Sequence, residues 1–340
     1  TAKTGVRIPL ALPMPSPYQK HLIQQVANAS AMHALELHPP QSGDFVRLHN
    51  LSGGARALVI ARLQQITDCP VLIVTADAEA AEGWYDDLHQ VSPPGLHFFP
   101  MTETLPYEID EPVIDLLAKQ YGAMHYLRRG EDAAITAAPK AREEATPAAP
   151  VLLVAPLEAL QHKIPTPVAL DKLVLTLNWG ETFDTEKIAH RLVELGYERQ
   201  AMAETRGEFS VRGNIVDIFP PHFENPVRFD LFGDEVESIR FFDSTTQRSL
   251  RGGPELERIT ILPAKLISIT KNLAEESVDA LCSLADWMPE NTLVVLDQPE
   301  KFDEALERFD LIAQKRYEER DAAETLRPAV YYADKVTLHQ

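Results

Sequence analysis

The chain has 340 residues, 45% of them hydrophobic, so two or three domains with full-sized cores are within reach and general disorder is excluded. Its net charge of −19 argues against a dedicated nucleic-acid surface, which needs clustered Lys and Arg, although a local basic patch can still exist. The two cysteines, Cys69 and Cys282, are far apart, which excludes a disulfide framework or zinc spacing and fits a reducing cytoplasm.

No apolar run approaches a membrane span, and the first residues carry no secretory pattern. The chain opens at Thr1, so it is expected to be processed or cut from something longer. Pro9, Pro13, Pro15 and Pro17 predict an extended start, and residues 18–37 a helix with Leu22, Ile23, Val26, Ala29 and Met32 on one side. Residues 45–48 (FVRL) read as a short strand. It leads through Asn50, Gly53, Gly54, Ala55, Arg56 and Ala57 into a helix over 58–65.

Strand, small-residue loop and helix is the setting of a phosphate-binding loop. The chemistry of that loop is absent. Aligned on Asn50, the loop has Ala55 at the last Gly, Arg56 at the phosphate-binding Lys and Ala57 at the Ser or Thr that holds Mg²⁺. Ala57 cannot ligate a metal, and Arg is bulkier and differently shaped from Lys. Two readings fit: the shape of a nucleotide site without its function, or an ordinary strand-to-helix turn.

Residues 71–75 (VLIVT) predict a buried parallel strand, 77–90 a helix capped by Asp77 with Ala81, Trp84 and Leu88 on one face, and 96–100 the next strand. A loop over 104–108 and a helix over 113–127 follow. This alternation predicts an open α/β sheet. Residues 129–150 are rich in Ala, Pro and Glu and are expected to form a flexible insertion. Residues 151–155 resume the sheet, with a helical turn over 157–162.

Near residue 170 the pattern becomes α+β. A strand is expected at 173–177 and an amphipathic helix at 185–195, stopped by Gly196. From 196 to 243, apolar residues alternate at strand period through Phe209, Val211, Val216, Ile218, Val227, Phe229, Leu231, Val236, Ile239 and Phe241. Turn residues separate the runs, and Arg199, Arg206, Arg212, Arg228 and Arg240 recur beside the aromatics. A small antiparallel sheet with an exposed Arg and aromatic face fits this pattern. Such a face has the composition of a protein-binding hot spot; the alternative is a core of aromatics with solvated arginines.

From residue 262 the α/β pattern returns, with a helix at 274–285, a buried strand at 291–297 ending in Asp297, and a charged helix at 301–322. Asp297 is placed like the metal-binding carboxylate of a phosphate-loop enzyme, but Gln298 stands where a second carboxylate belongs. His89, His97, His162 and His190 have neither ligand nor triad spacing, so no metal site is expected. The domains are expected at 1–170, 171–262 and 263–340, the first and last forming one lobe.

Several stretches carry a family resemblance. They are residues 103–108 (ETLPYE), 195–199 (LGYER), 207–213 (GEFSVRG), 216–220 (VDIFP), 229–240 (FDLFGDEVESIR), Phe242-Asp243 and Leu51-Ser52-Gly53. Together they resemble the N-terminal module of the bacterial transcription-repair coupling factor (Mfd) family, itself similar to the damage-verification helicase UvrB. The match covers nearly the whole chain apart from 129–150, and the 196–243 run is its most specific part.

The resemblance implies a degenerate, helicase-like open sheet that has lost catalysis, with an inserted small α+β domain that binds the damage sensor UvrA. Residues 106–113 run almost directly into a helix, leaving no room for the DNA-clamping hairpin of UvrB. Matching the motif position by position puts the UvrA contact on Arg212, Arg228 and Phe232, with Arg199 and Arg206 as flanking candidates. The chain itself is expected to be no enzyme and to need no cofactor. ATP and Mg²⁺ serve the motor of the full-length family protein, which also engages RNA polymerase and upstream duplex DNA. The competing expectation is a UvrB-like ATPase lobe that binds damaged DNA.

Overall fold

The computed structural model describes residues 30–49, 51, 53–91, 93–102, 113–129, 136–137, 149–250, 255–265, 270, 272–274, 277–319 and 331–332. Asn50, residues 103–108 and all of 1–29 lie outside the described residues, so the start of the loop and the ETLPYE stretch do too.

The first lobe begins with α1 (Ser30–Leu37), α2 (Ala55–Thr67), β1 (Val71–Thr75), α3 (Ala78–Val91), β2 (Leu96–Phe98) and α4 (Ile114–Arg129). The Asp77 carboxylate accepts the Ala80 amide at 2.8 Å, the N-terminal capping expected of it. Residues 45–48 form no strand. They lie open to solvent, with Phe45 82% exposed, so the expected strand is corrected to an unpaired segment. Alternation alone could not find this, because a strand exists only where a neighbour completes its ladder.

Next come β3 (Thr136–Ala137), β4 (Leu152–Pro156), α5 (Leu157–Gln161), β5 (Ile164–Pro165), α6 (Pro167–Leu173) and β6 (Leu175–Asn178). The insertion is therefore not wholly without structure, since Thr136 and Ala137 pair with a later strand. Helix α6 occupies the place where a strand was expected to begin. Thr166 caps it by accepting the Ala169 amide, and Pro167 enters at the first turn.

The chain continues as α7 (Thr185–Glu194), β7 (Glu198–Arg199), β8 (Glu208–Arg212), β9 (Ile215–Ile218), β10 (Val227–Phe232), β11 (Glu235–Phe241) and β12 (Leu256–Ile261). Last are β13 (Leu281–Cys282), β14 (Leu293–Asp297) and α8 (Phe302–Glu318). Of the helix expected over 274–285, Ala274 is helical and residues 275–276 lie outside the described residues, but from Val278 the chain forms a short 3-10 turn, Val278–Ala280, and then β13. Pairing of Leu281 and Cys282 with Pro165 and Ile164 overrides the local helical pattern.

Four strands make a parallel sheet in the order β14-β1-β4-β2. Strands β1 and β4 are buried throughout, as their unbroken apolar runs demand. Strand β14 is an edge rather than a buried strand, with Val294 52% and Leu296 40% exposed. One core face joins Leu72, Val74, Leu153 and Leu117 to Leu284, Trp287 and Leu306, so segments before and after the inserted domain share one core.

The inserted domain is built on a five-stranded sheet, β11-β10-β9-β8-β7, with a separate three-stranded sheet, β3-β12-β6. Phe209, Val216, Ile218, Val227, Phe229, Leu231, Val236 and Ile239 all turn to one side and pack with Ile188 and Leu192 of α7. Asp184 caps α7 by accepting the Glu186 and Lys187 amides, and Gly196 at φ +86 turns the chain out of it.

Where the two parts meet, Arg206 pairs with Asp115 of α4 and donates to the Phe223 carbonyl at 3.1 Å. Beside it, the His222 Nε2–H donates to the Thr260 carbonyl at 3.1 Å, while Nδ1 lies out of solvent without a partner. Burial pushes the His222 imidazole down to about 3, with Arg206 and His125 adding to the shift. The unfolded chain therefore binds this proton first. Stability contributed by neutral His222 is complete above the ordinary histidine range and is lost as pH falls from about 6.5 toward 3, at up to about 1.4 kcal/mol per pH unit. His222→Gln should flatten the pH dependence of the urea midpoint between pH 7 and 4.5; an unchanged slope would contradict a neutral buried imidazole.

Candidate functional site

The register of the inserted sheet sets its second face. Ser210, Asp217, Arg228 and Arg240 stand opposite one another across β8, β9, β10 and β11. The next row toward the hairpin is Arg212, Ile215, Asp230 and Ser238, and beyond it Phe232 faces Glu235. Paired residues point to the same side of a sheet, so Arg212, Arg228 and Phe232 share one face, the one turned away from the apolar core.

Asp217 is the hub of that face. It is fully buried, and its carboxylate takes Arg228 Nε–H at 2.7 Å on one oxygen and Arg228 Nη2–H at 2.9 Å on the other, a forked pairing. Arg212 adds a further hydrogen bond to Asp217 Oδ2. Arg228 is also held by the Gln247 carbonyl at 3.1 Å and lies over the Phe242 ring at 4.3 Å. The bond to Asp217 raises the Arg228 guanidinium above even its ordinary basicity.

The three candidate residues therefore differ in accessibility. Phe232 is 78% exposed beside the tight turn at Gly233, whose φ is +64. The Arg212 side chain is 39% exposed, but that of Arg228 only 13%. The expected exposed Arg and aromatic face is thus uneven: at 228 the arginine is largely engaged by Asp217, Gln247 and Phe242.

The flanking candidates do not join this group. Arg206 is turned to the junction with α4. Arg199 lies on the far edge strand, roughly 14 Å from β10 at three strand spacings. There it pairs in register with inward-facing Phe209. Sequence reasoning named Arg212 and Arg228 but missed Asp217. The signal was available: a carboxylate between Val216 and Ile218, which strand alternation turns to the face opposite those two apolar residues.

A second cluster lies at the C-terminal ends of the parallel strands. Arg56, in the first turn of α2, approaches Asp297 at the end of β14 and Asp87 on α3, each at 3.4 Å. Its guanidinium lies 4.4 Å from the Trp84 ring centroid, and the Trp84 indole N–H donates to Asp297 Oδ2 at 2.9 Å. A crevice of about 320 Å³ opens beside them, lined by Arg56, Asp77, Glu79, Asp297 and Lys301 among others. Gly53 and Gly54 are exposed in the turn before α2, and Ala57 is buried under the helix. Among the described residues, no three His, Cys, Asp or Glu side chains are grouped to hold a metal ion.

Comparison with known proteins bears on the inserted domain first. A family model described as the UvrB interaction domain matches residues 175–266. The chain is 30% identical over 278 residues to the transcription-repair-coupling factor of Myxococcus xanthus, covering 80% of this chain and 22% of that protein. It is 33% identical over 237 residues to that of Bacillus subtilis (strain 168), covering 68% of this chain and 18% of the relative. The Escherichia coli (strain K12) protein of the same name is 26% identical over 229 residues.

The chain belongs to the transcription-repair coupling factor family, as its N-terminal UvrB-homology region. It spans about a fifth of the length of these relatives. Within this family member, the Asp217 hub and the exposed Phe232 both fall inside the matched interaction domain.

The arrangement separates structural from surface roles. Arg228→Ala leaves a buried carboxylate short of its main partner and should destabilise the chain by about 3 kcal/mol. Phe232→Ala, at an exposed position, should change stability by less than about 0.5 kcal/mol. Urea unfolding measures both; equal effects would contradict the hub.

Proposed function

We propose that the chain is the UvrA-recruiting, non-catalytic module of a transcription-repair coupling factor, linking stalled RNA polymerase to nucleotide excision repair. The observation that carries this reading is the grouping of Arg212, Arg228 and Phe232 on one face of the domain matched as a UvrB interaction domain. Phe232 supplies an apolar anchor and Arg212 a rigid fork of donors for a carboxylate or carbonyl on the partner. Arg228 acts mainly from beneath, by fixing Asp217 and through it Arg212. RNA polymerase and upstream duplex DNA are partners of the full-length protein under this reading.

The parallel-sheet lobe is then a helicase-like body with a degenerate phosphate loop. Arg56 supports this, because its guanidinium is committed to Asp297 and Asp87 in the place where a nucleotide phosphate would seek a cation. Ala57 offers no hydroxyl for a metal, and Gln298 stands beside Asp297. The cluster would do structurally what nucleotide and metal do in an active lobe, tying α2 to β14 across the sheet. The rival reading, a UvrB-like ATPase lobe, would require that ion cluster to open.

Capture of purified UvrA by the immobilised chain tests the reading. The unaltered protein should retain UvrA, and Phe232→Ala and Arg212→Ala should each weaken retention at least about thirtyfold, the equivalent of about 2 kcal/mol. Equal capture by all three would reject the surface. Saturable Mg-ATP binding by the unaltered chain would revive the rival.

A further inference from the structure

Trp179 is the one large aromatic side chain of the inserted domain, besides Phe232, that the described residues leave mostly in solvent, at 57% exposure. It is nevertheless held in place. Its indole Nε1–H donates to the Glu237 carbonyl at 2.8 Å, and its own amide donates to the Glu257 carbonyl at 2.8 Å. The segment that follows is laced along the start of β11. Gly180 N–H reaches the Val236 carbonyl at 2.9 Å, Val236 N–H the Glu181 carbonyl at 2.9 Å, and Phe183 N–H the Asp234 carbonyl at 2.6 Å. Gly180, at φ +75, makes the turn that brings this about.

These bonds set Trp179 against the outer edge of the hairpin that carries Phe232. Two strand spacings, roughly 10 Å, separate the strand of Phe232 from the segment of Trp179. Both rings therefore fit within one patch of ordinary interface size, about 800 Å² per partner. The indole donor is satisfied within the chain, so what Trp179 offers is apolar area already fixed in one geometry. A side chain ordered before binding loses little entropy when a partner covers it. Tryptophan is among the residue types enriched in the energetic anchors of protein interfaces.

We propose that Trp179 is a second aromatic anchor of the docking surface, so that the partner grips the β10–β11 hairpin along its edge as well as on its outer face. This rests on the UvrA-recruiting reading. Charge describes the complementary surface. Asp234, Glu235 and Glu237 surround the hairpin end and are exposed, whereas Arg212 and Arg240 lie farther along the face. The partner's socket for Trp179 is then apolar with a Lys- or Arg-bearing rim, and its contact with Arg212 is acidic.

Fluorine NMR of the chain labelled with 5-fluorotryptophan, titrated with purified UvrA, tests the anchor directly. The chain has three tryptophans, and Trp84 and Trp287 are buried at 3% and 7% exposure. The resonance lost in Trp179→Phe should shift or broaden with UvrA while the other two hold still. Trp179→Ala should weaken UvrA binding at least tenfold, with a thermal melt like that of the unaltered chain. A Trp179 resonance that UvrA leaves unmoved, or full affinity in Trp179→Ala while Phe232→Ala loses capture, would overturn the inference and leave the docking reading standing. Full affinity in both variants would overturn the docking reading itself.

Discussion

The inserted domain depends on one buried charge. Asp217 has no exposure to solvent, and an isolated carboxylate in that position would unfold the sheet or take up a proton. Two guanidinium groups from neighbouring strands hold it in place. The same carboxylate draws Arg228 down into the face and holds Arg212 by its Nη2, leaving that side chain 39% exposed. A buried ion pair is weak evidence for stability but a good means of specifying register. A one-residue slip of β9 would swing Asp217 to the apolar side and Val216 or Ile218 to the polar one.

The two candidate sites share a principle. In each, an arginine pairs with carboxylate and lies against an aromatic ring: Arg228 with Asp217 and Phe242, Arg56 with Asp297, Asp87 and Trp84. In the crevice the arrangement is closed on itself, with the charges already satisfied. On the inserted sheet it is incomplete, because Arg212 and Phe232 extend beyond the hub into solvent. That difference is the ground for proposing a binding role for the inserted sheet and a structural one for the crevice.

Much of the inserted domain was legible from the chain alone, because strict alternation from Phe209 to Phe241 leaves a half-buried sheet few other registers. Phe232 beside Gly233 was legible for the same reason, since a ring at a hairpin end has no core to enter. The accessibility of Arg228 was not. It depends on Asp217, Phe242 and Gln247, which reach it through strand pairing and a distant turn. Arg56 and Asp297 were each noticed in the sequence, but their meeting across 241 positions is visible only in three dimensions. The misread stretches, residues 45–48 and 274–285, have strong local patterns whose outcome was decided elsewhere. The first lacks a pairing strand, and part of the second gains one in β5.

Which surface meets the partner decides between a docking role for the inserted sheet and one for the parallel-sheet lobe. The most direct measurement is site-specific photo-crosslinking to UvrA from a benzoylphenylalanine placed at Phe232, compared with one at Leu311, an equally open apolar position on α8 at 70% exposure. Crosslinking from 232 and none from 311 is the predicted result. Crosslinking from 311 with none from 232 would place the contact on the parallel-sheet lobe and contradict the account.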